Sequence, residues 1–131
     1  MRKSNWEKAL NAEIERTREL EFSWDKNHCL GFAARCQEAM TGKTDFPEAF
    51  TSTSFMSAQK IIKKHGGDLT SWMDEKLQRI NLLAAQRGDF IEVETDIGEA
   101  IGVCIGEKVA VMGEDGLEFM PMTHGIRAWK V

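Results

Sequence analysis

Apolar positions along the first 85 residues recur at intervals of three and four, the spacing of a helix face, and from about residue 86 they alternate, the spacing of a strand. Ser4 followed three residues on by Glu7 has the form of a capping box, and Trp6, Leu10, Ile14 and Thr17 mark one side of a helix running to about Leu20. Its other side carries Glu7, Lys8, Glu13, Glu15, Arg16 and Arg18, a solvated face with room for i,i+4 pairing. Phe22 and Trp24 in the following loop are large apolar anchors for a core. A second helix is predicted by Cys29, Phe32, Ala33, Cys36 and Met40, with Asn27 or His28 as its N-cap and Gly42 ending it. The connector KTDFPEAFTSTSF (43–55) is rich in turn residues and is expected to be the most mobile segment. Ala58, Ile61 and Ile62 then predict a short helix over about 57–64, stopped by Gly66-Gly67. Asp68 or Thr70 can cap another that buries Leu69, Trp72, Met73 and Leu77.

After the turn at Gln86-Arg87-Gly88-Asp89, Ile91 and Val93 alternate with Glu92 and Glu94. Ile101, Val103 and Ile105 share one face of the next strand, and Gly106-Glu107 make a tight connection to KVAVM (108–112). Glu114-Asp115-Gly116 turns into LEFMP (117–121), and RAWKV (127–131) closes the series. Five short strands after a helical half predict an α+β fold, a curved antiparallel sheet with helices on one side. The helix beginning at Cys29 is expected to pack on strands containing Ile101, Val103, Val109 and Val111.

With 131 residues, 42% of them hydrophobic, the chain is expected to form a single domain over 1–131, mainly helical to 85 and mainly strands from 86. A net charge of −4 without a basic face argues against a nucleic-acid partner. No apolar run approaches the roughly 18 residues of a membrane span, and MRKSNWEK lacks the apolar stretch of a secretory signal, so a protein made soluble is expected. Cys29 and Cys36, seven residues apart on one helix, lie roughly 10 Å apart along its axis, beyond disulfide reach. Reduced thiols fit folding in cytoplasm. His28, His65, His124 and the cysteines show no zinc-ligand spacing; neither metal nor cofactor is expected.

Cys29 carries the sharpest chemical signal. A thiol in the first turn of a helix sits among unpaired backbone N–H groups at the positive end of the dipole, which favours the thiolate. Turnover also needs a base within hydrogen-bond reach. His28 is adjacent, but neighbouring residues on a helix point about 100° apart; His65 ends a helix; His124 has no carboxylate or amide at a telling distance. The Arg87-Gly88-Asp89 tripeptide spells an adhesion motif, yet its place before a strand explains it as a turn, and GEDG (113–116) reads as a hairpin turn without calcium-ligand spacing.

Trp24, His28-Cys29, FAA (32–34), AMTG (39–42), Gly66-Gly67, QRGD (86–89), IGVCIG (101–106), GLEFMP (116–121) and RAWKV (127–131), in this order, resemble a family of small tailed-phage proteins similar in fold to NlpC-type cell-wall peptidases, the compact branch of the papain-like superfamily. In active enzymes of that type a cysteine begins the central helix, a GD turn opens the first strand and a histidine opens the second. Cys29 and Gly88-Asp89 match the first two, whereas Ala100 stands where the histidine belongs and only apolar residues around Val111 stand where its orienting partner would be. The resemblance implies a non-catalytic papain-like component of a phage tail near the tip, with tail-tip and hub proteins as partners and the virion as its location after synthesis in the host cytoplasm. Cys29 is then a vestigial nucleophile, and Phe46, Phe50, Phe55 and Trp129 are the apolar candidates for the interface. Two alternatives accompany this reading. One is an active thiol hydrolase cutting peptidoglycan peptides with Cys29 and His124; the other is a free phage protein binding a host factor.

Overall fold

The computed structural model describes residues 2–24, 27–96 and 98–131. Helices α1 (Trp6–Arg18), α2 (Cys29–Thr41), α3 (Phe55–Lys64) and α4 (Leu69–Lys76) precede strands β1 (Gln78–Ile80), β2 (Phe90–Thr95), β3 (Gly98–Cys104), β4 (Lys108–Gly113), β5 (Gly116–Pro121) and β6 (Gly125–Lys130). Single 3₁₀ turns occupy Pro47–Phe50, Leu82–Ala84 and Met122–His124. The loop expected across 25 and 26 lies outside the described residues.

Leu10, Ile14 and Thr17 form the buried stripe of α1, but its N-cap is Asn5 and makes no side-chain cap bond, so the box expected at Ser4 and Glu7 does not form. A capping box does form at α3, where the Ser54 and Ser57 side chains each bond the other's backbone; this cap starts the helix at Phe55, two residues before its predicted start. Asp68 caps α4 by accepting from the Ser71 N–H at 2.7 Å. The α2 helix stops at Gly42, whose left-handed φ of +93° suits glycine and lets its N–H bond Glu38. Within the connector the 3₁₀ turn Pro47–Phe50 buries Ala49, and Phe46 beside it is buried too.

Six antiparallel strands make one sheet in the order β1-β6-β2-β3-β4-β5. One side of it packs on the helices with Phe90, Ile101, Val103, Ala110, Met112 and Trp129, where they meet Leu10, Phe32, Cys36 and Met40. The opposite side buries Ile91, Val93, Ala100, Val109, Val111 and Ala128 beneath Ile80, Leu82, Met120 and Met122, which come from the sheet's own ends. Segments at the sheet's ends, with Cys29 of α2, therefore cover this side.

Val109 and Val111 lie on this second side, not against α2. Directly paired residues of antiparallel strands share a face, and Val103 pairs with Ala110, so Ala110 and Met112 face the helix in their place. At Gly102 a Cβ would stand 2.5 Å from Val111 Cγ2, 2.6 Å from Val109 Cγ1 and 2.7 Å from the Ala110 oxygen, so only glycine lets these strands pack as they do. A sixth strand, β1, was not among those predicted: its three residues show no buried alternation and pair only with β6.

Candidate functional site

Cys29 is the first residue of α2, and His28 is its N-cap, with ring Nδ1 accepting from the Gly31 N–H at 3.3 Å. The helix packs on β3 and β4, which sets half-buried Cys29 against both apolar clusters of the sheet. Beside it opens a cavity of about 660 Å³, lined by Cys29, His28 and Ala100 among others. Ala100 is buried on β3, paired with Val93 of β2.

The His28 ring is held by the backbone on both sides. Its Nδ1 caps α2, so the proton sits on Nε2, which donates to the Ala49 carbonyl at 2.9 Å and lies 3.3 Å from the Ser52 hydroxyl. Burial pushes the His28 pKa down; the Ala49 carbonyl works the other way and the Arg35 charge adds to the lowering. Both ring nitrogens of this neutral imidazole are thus occupied, and no lone pair remains to take a proton from Cys29.

Burial also pushes the Cys29 thiol up, against the backbone groups of Ile101, Leu30 and Cys29 itself, which favour the thiolate. The helix start was expected to lower this pKa. Desolvation at the junction of the helix and β3 outweighs it. Burial likewise pushes up the thiol of Cys36, fully buried on the same helix.

The remaining candidate residues disperse. His65 stacks on Trp72 with ring centroids 4.4 Å apart, its Nε2 bonded to Glu48 at 2.7 Å and its Nδ1 to Glu75 at 2.8 Å, and it does not line the cavity. His124 is exposed in the 3₁₀ turn before β6, outside the cavity lining. Phe46 and Trp129, expected at an interface, are each 0% exposed and belong to the core; Phe50 is half-buried, and Phe55 is 51% exposed on the cavity rim. Asp89 of the Arg-Gly-Asp tripeptide is buried and bonded internally, so it presents no carboxylate to a partner.

A feature the sequence did not suggest is an acidic wall. Asp96 and Glu99 at the β2–β3 turn and Glu114, Asp115 and Glu118 at the β4–β5 turn line the same cavity as Cys29. Each turn reads alone as solvated polar chain; only the sheet order, with β3 and β4 between the outer partners, brings the two turns to one end. Among the described residues, no cluster of three or more His, Cys, Asp or Glu side chains has the geometry to hold a metal ion.

Across residues 1–131 the chain matches the family described as "Domain of unknown function (DUF6950)", and it belongs to that family. Among solved structures, the crystal structure of the NlpC/p60 domain of the peptidoglycan hydrolase SagA is similar, with a TM-score of 0.62, 14% identity and coverage of 95% of this chain and 97% of that one. At that identity the likeness shows the fold: an α+β, papain-like domain of NlpC type. No curated protein matches the chain.

Proposed function

We propose that this member of the DUF6950 family keeps an NlpC-type cleft without its chemistry and serves as a structural or assembly component of a phage tail, near the tip and held by tail-tip and hub proteins. The observation that carries the non-catalytic part is the Cys29 cavity: a thiol pushed up by burial, Ala100 on the same lining, and a His28 ring already bonded through both nitrogens. A positioned acid–base group contributes roughly 10²–10⁴-fold to such a reaction, and neither the Ala100 side chain nor the fully bonded His28 ring supplies one to Cys29. The tail assignment is supported by the ordered motifs from Trp24 to RAWKV (127–131), which resemble those of small tailed-phage proteins.

Purified phage particles and purified protein test the two parts separately. Antibody against the protein should label the tail tip in electron micrographs, and Cys29→Ser phage should assemble and infect as the parent does. The purified chain should release no peptide from peptidoglycan. Release abolished by Cys29→Ser and by His124→Ala would make the protein a thiol hydrolase. Its absence from purified particles would make it a free protein acting on a host factor.

A further inference from the structure

Resting on that non-catalytic reading, we propose that the Cys29 cavity is a docking groove for a lysine- or arginine-bearing peptide segment of a protein partner. Its two walls differ in kind. Phe22, Trp24, Phe55, Ile61, Ile62 and Leu69 give the α2–α4 side a mainly apolar wall, with Glu48 and Asp68 beside them. Phe22 and Phe55 meet Trp24 edge to face at 4.9 and 5.2 Å, so the exposed Phe55 ring is held in place by packing. Asp96, Glu99, Glu114, Asp115 and Glu118 make the facing wall, and no lysine or arginine lines the cavity among the described residues.

Charge complementarity selects the occupant. Several carboxylates elsewhere pair with cations of the chain's own: Glu13 with Arg16 and Arg35, Glu15 with Arg18, Asp74 with Arg79, Glu92 with Arg127. The five carboxylates of the two turns have no ion-pair partner among the described residues. Like charges gathered on one wall repel one another, and a bound cation relieves that repulsion. A lysine or arginine side chain fits the pair of walls, because its aliphatic stem lies on apolar surface while its head reaches an acidic one, and its charge is also drawn to aromatic faces. The volume, about 660 Å³, falls within the roughly 300–1,000 Å³ of ligand sites and holds a few residues of peptide. Trp72, 2% exposed, belongs to the lining as well, and its indole N–H has no hydrogen-bond partner. Anionic polymers are repelled by the same wall.

Fluorescence anisotropy with the full chain and three labelled peptides of equal length, alternating leucine with lysine, glutamine or glutamate, tests the groove. The lysine peptide should bind, and the other two should bind at least about tenfold more weakly, with affinity for the lysine peptide falling as salt rises. Glu114→Lys with Asp115→Lys should weaken that binding by about tenfold or more, and Phe55→Ser should do so independently, all three residues being exposed so that thermal stability is kept. Glu15→Lys, on α1 away from the cavity, should leave it unchanged. Equal binding of the glutamate peptide would overturn the proposal. So would indifference to Phe55→Ser, which would reduce the effect to unspecific attraction. Mass spectrometry of the same mixtures keeps the two readings apart: peptide recovered intact is expected, whereas Cys29-dependent cleavage would overturn the non-catalytic reading and leave the docking result standing.

Discussion

His28 does the work of a backbone group: it caps α2 through Nδ1 and ties the Pro47–Phe50 turn down through Nε2. Those bonds need the neutral ring, since a proton on Nδ1 would remove the acceptor for the Gly31 N–H. Its pKa in the folded chain is lowered, mainly by burial, below the roughly 6.5 of an unfolded histidine. A group depressed on folding contributes stability that is fully present above the unfolded pKa and is lost as pH falls through the folded value. Acidification below about pH 6.5 should therefore destabilise the chain through this residue. His28→Asn keeps a capping oxygen but not the link to Ala49, and should lower stability at pH 7.5 by about 1–2 kcal/mol. It should also shallow the fall in stability between about pH 6.5 and 5. Urea midpoints across that range measure both; a variant with the same slope as the parent would show that His28 is not the titrating group.

Among the elements, β3 decides what the helices meet. Val103 is fully buried toward α2, and Gly102 beside it faces Val109 and Val111 with no room for a methyl. Gly102→Ala should cost about 1–3 kcal/mol through overpacking, and Val103→Asp more, because a charge enters the helix-facing core without a partner. Thermal melts rank them, and an unchanged midpoint for Val103→Asp would contradict this face of the strand. The pattern of apolar residues in the sequence is enough to find β2 to β6 and, at a period of three to four, the helices. It does not reveal which apolar set of β4 faces α2. That follows from the Val103–Ala110 register, which a Gly106 turn sets by one residue either way. The site was legible to a similar depth. Cys29 and Ala100, picked out by the order of motifs, do line one cavity. The acidic wall and the burial of Phe46 and Trp129 escaped, because both depend on contacts between segments far apart in the chain. Trp129 packs with Phe90 of β2 through the β2–β6 pairing, and its indole N–H reaches Asp74 of α4 at 2.8 Å.

Across the whole molecule, one buried carboxylate joins three distant segments. Asp89, 4% exposed at the start of β2, accepts from the Gln86 N–H at 2.9 Å, from the Val131 N–H at 3.1 Å beyond β6, and from Arg2 Nη2 at 3.0 Å before α1. Arg2 completes the junction by donating to the Arg87 carbonyl at 2.8 Å and the Val131 carbonyl at 3.2 Å, with its guanidinium over the Trp6 ring. The carboxylate that made the tripeptide look like an adhesion motif is therefore a structural junction. Asp89→Ala would leave the Gln86 and Val131 N–H groups and the half-buried Arg2 charge without their acceptor, and breaking a buried pair from one side costs about 3–5 kcal/mol. Asp89→Asn keeps one acceptor oxygen and should lose less. Because β6 lies between β1 and β2, its closing residues should be the first to register the change. Amide hydrogen exchange over 125–131 should rise in Asp89→Ala well before exchange in α2 does. Stability within about 0.5 kcal/mol of the parent, the range of ordinary surface changes, would show that Asp89 does not tie these segments together.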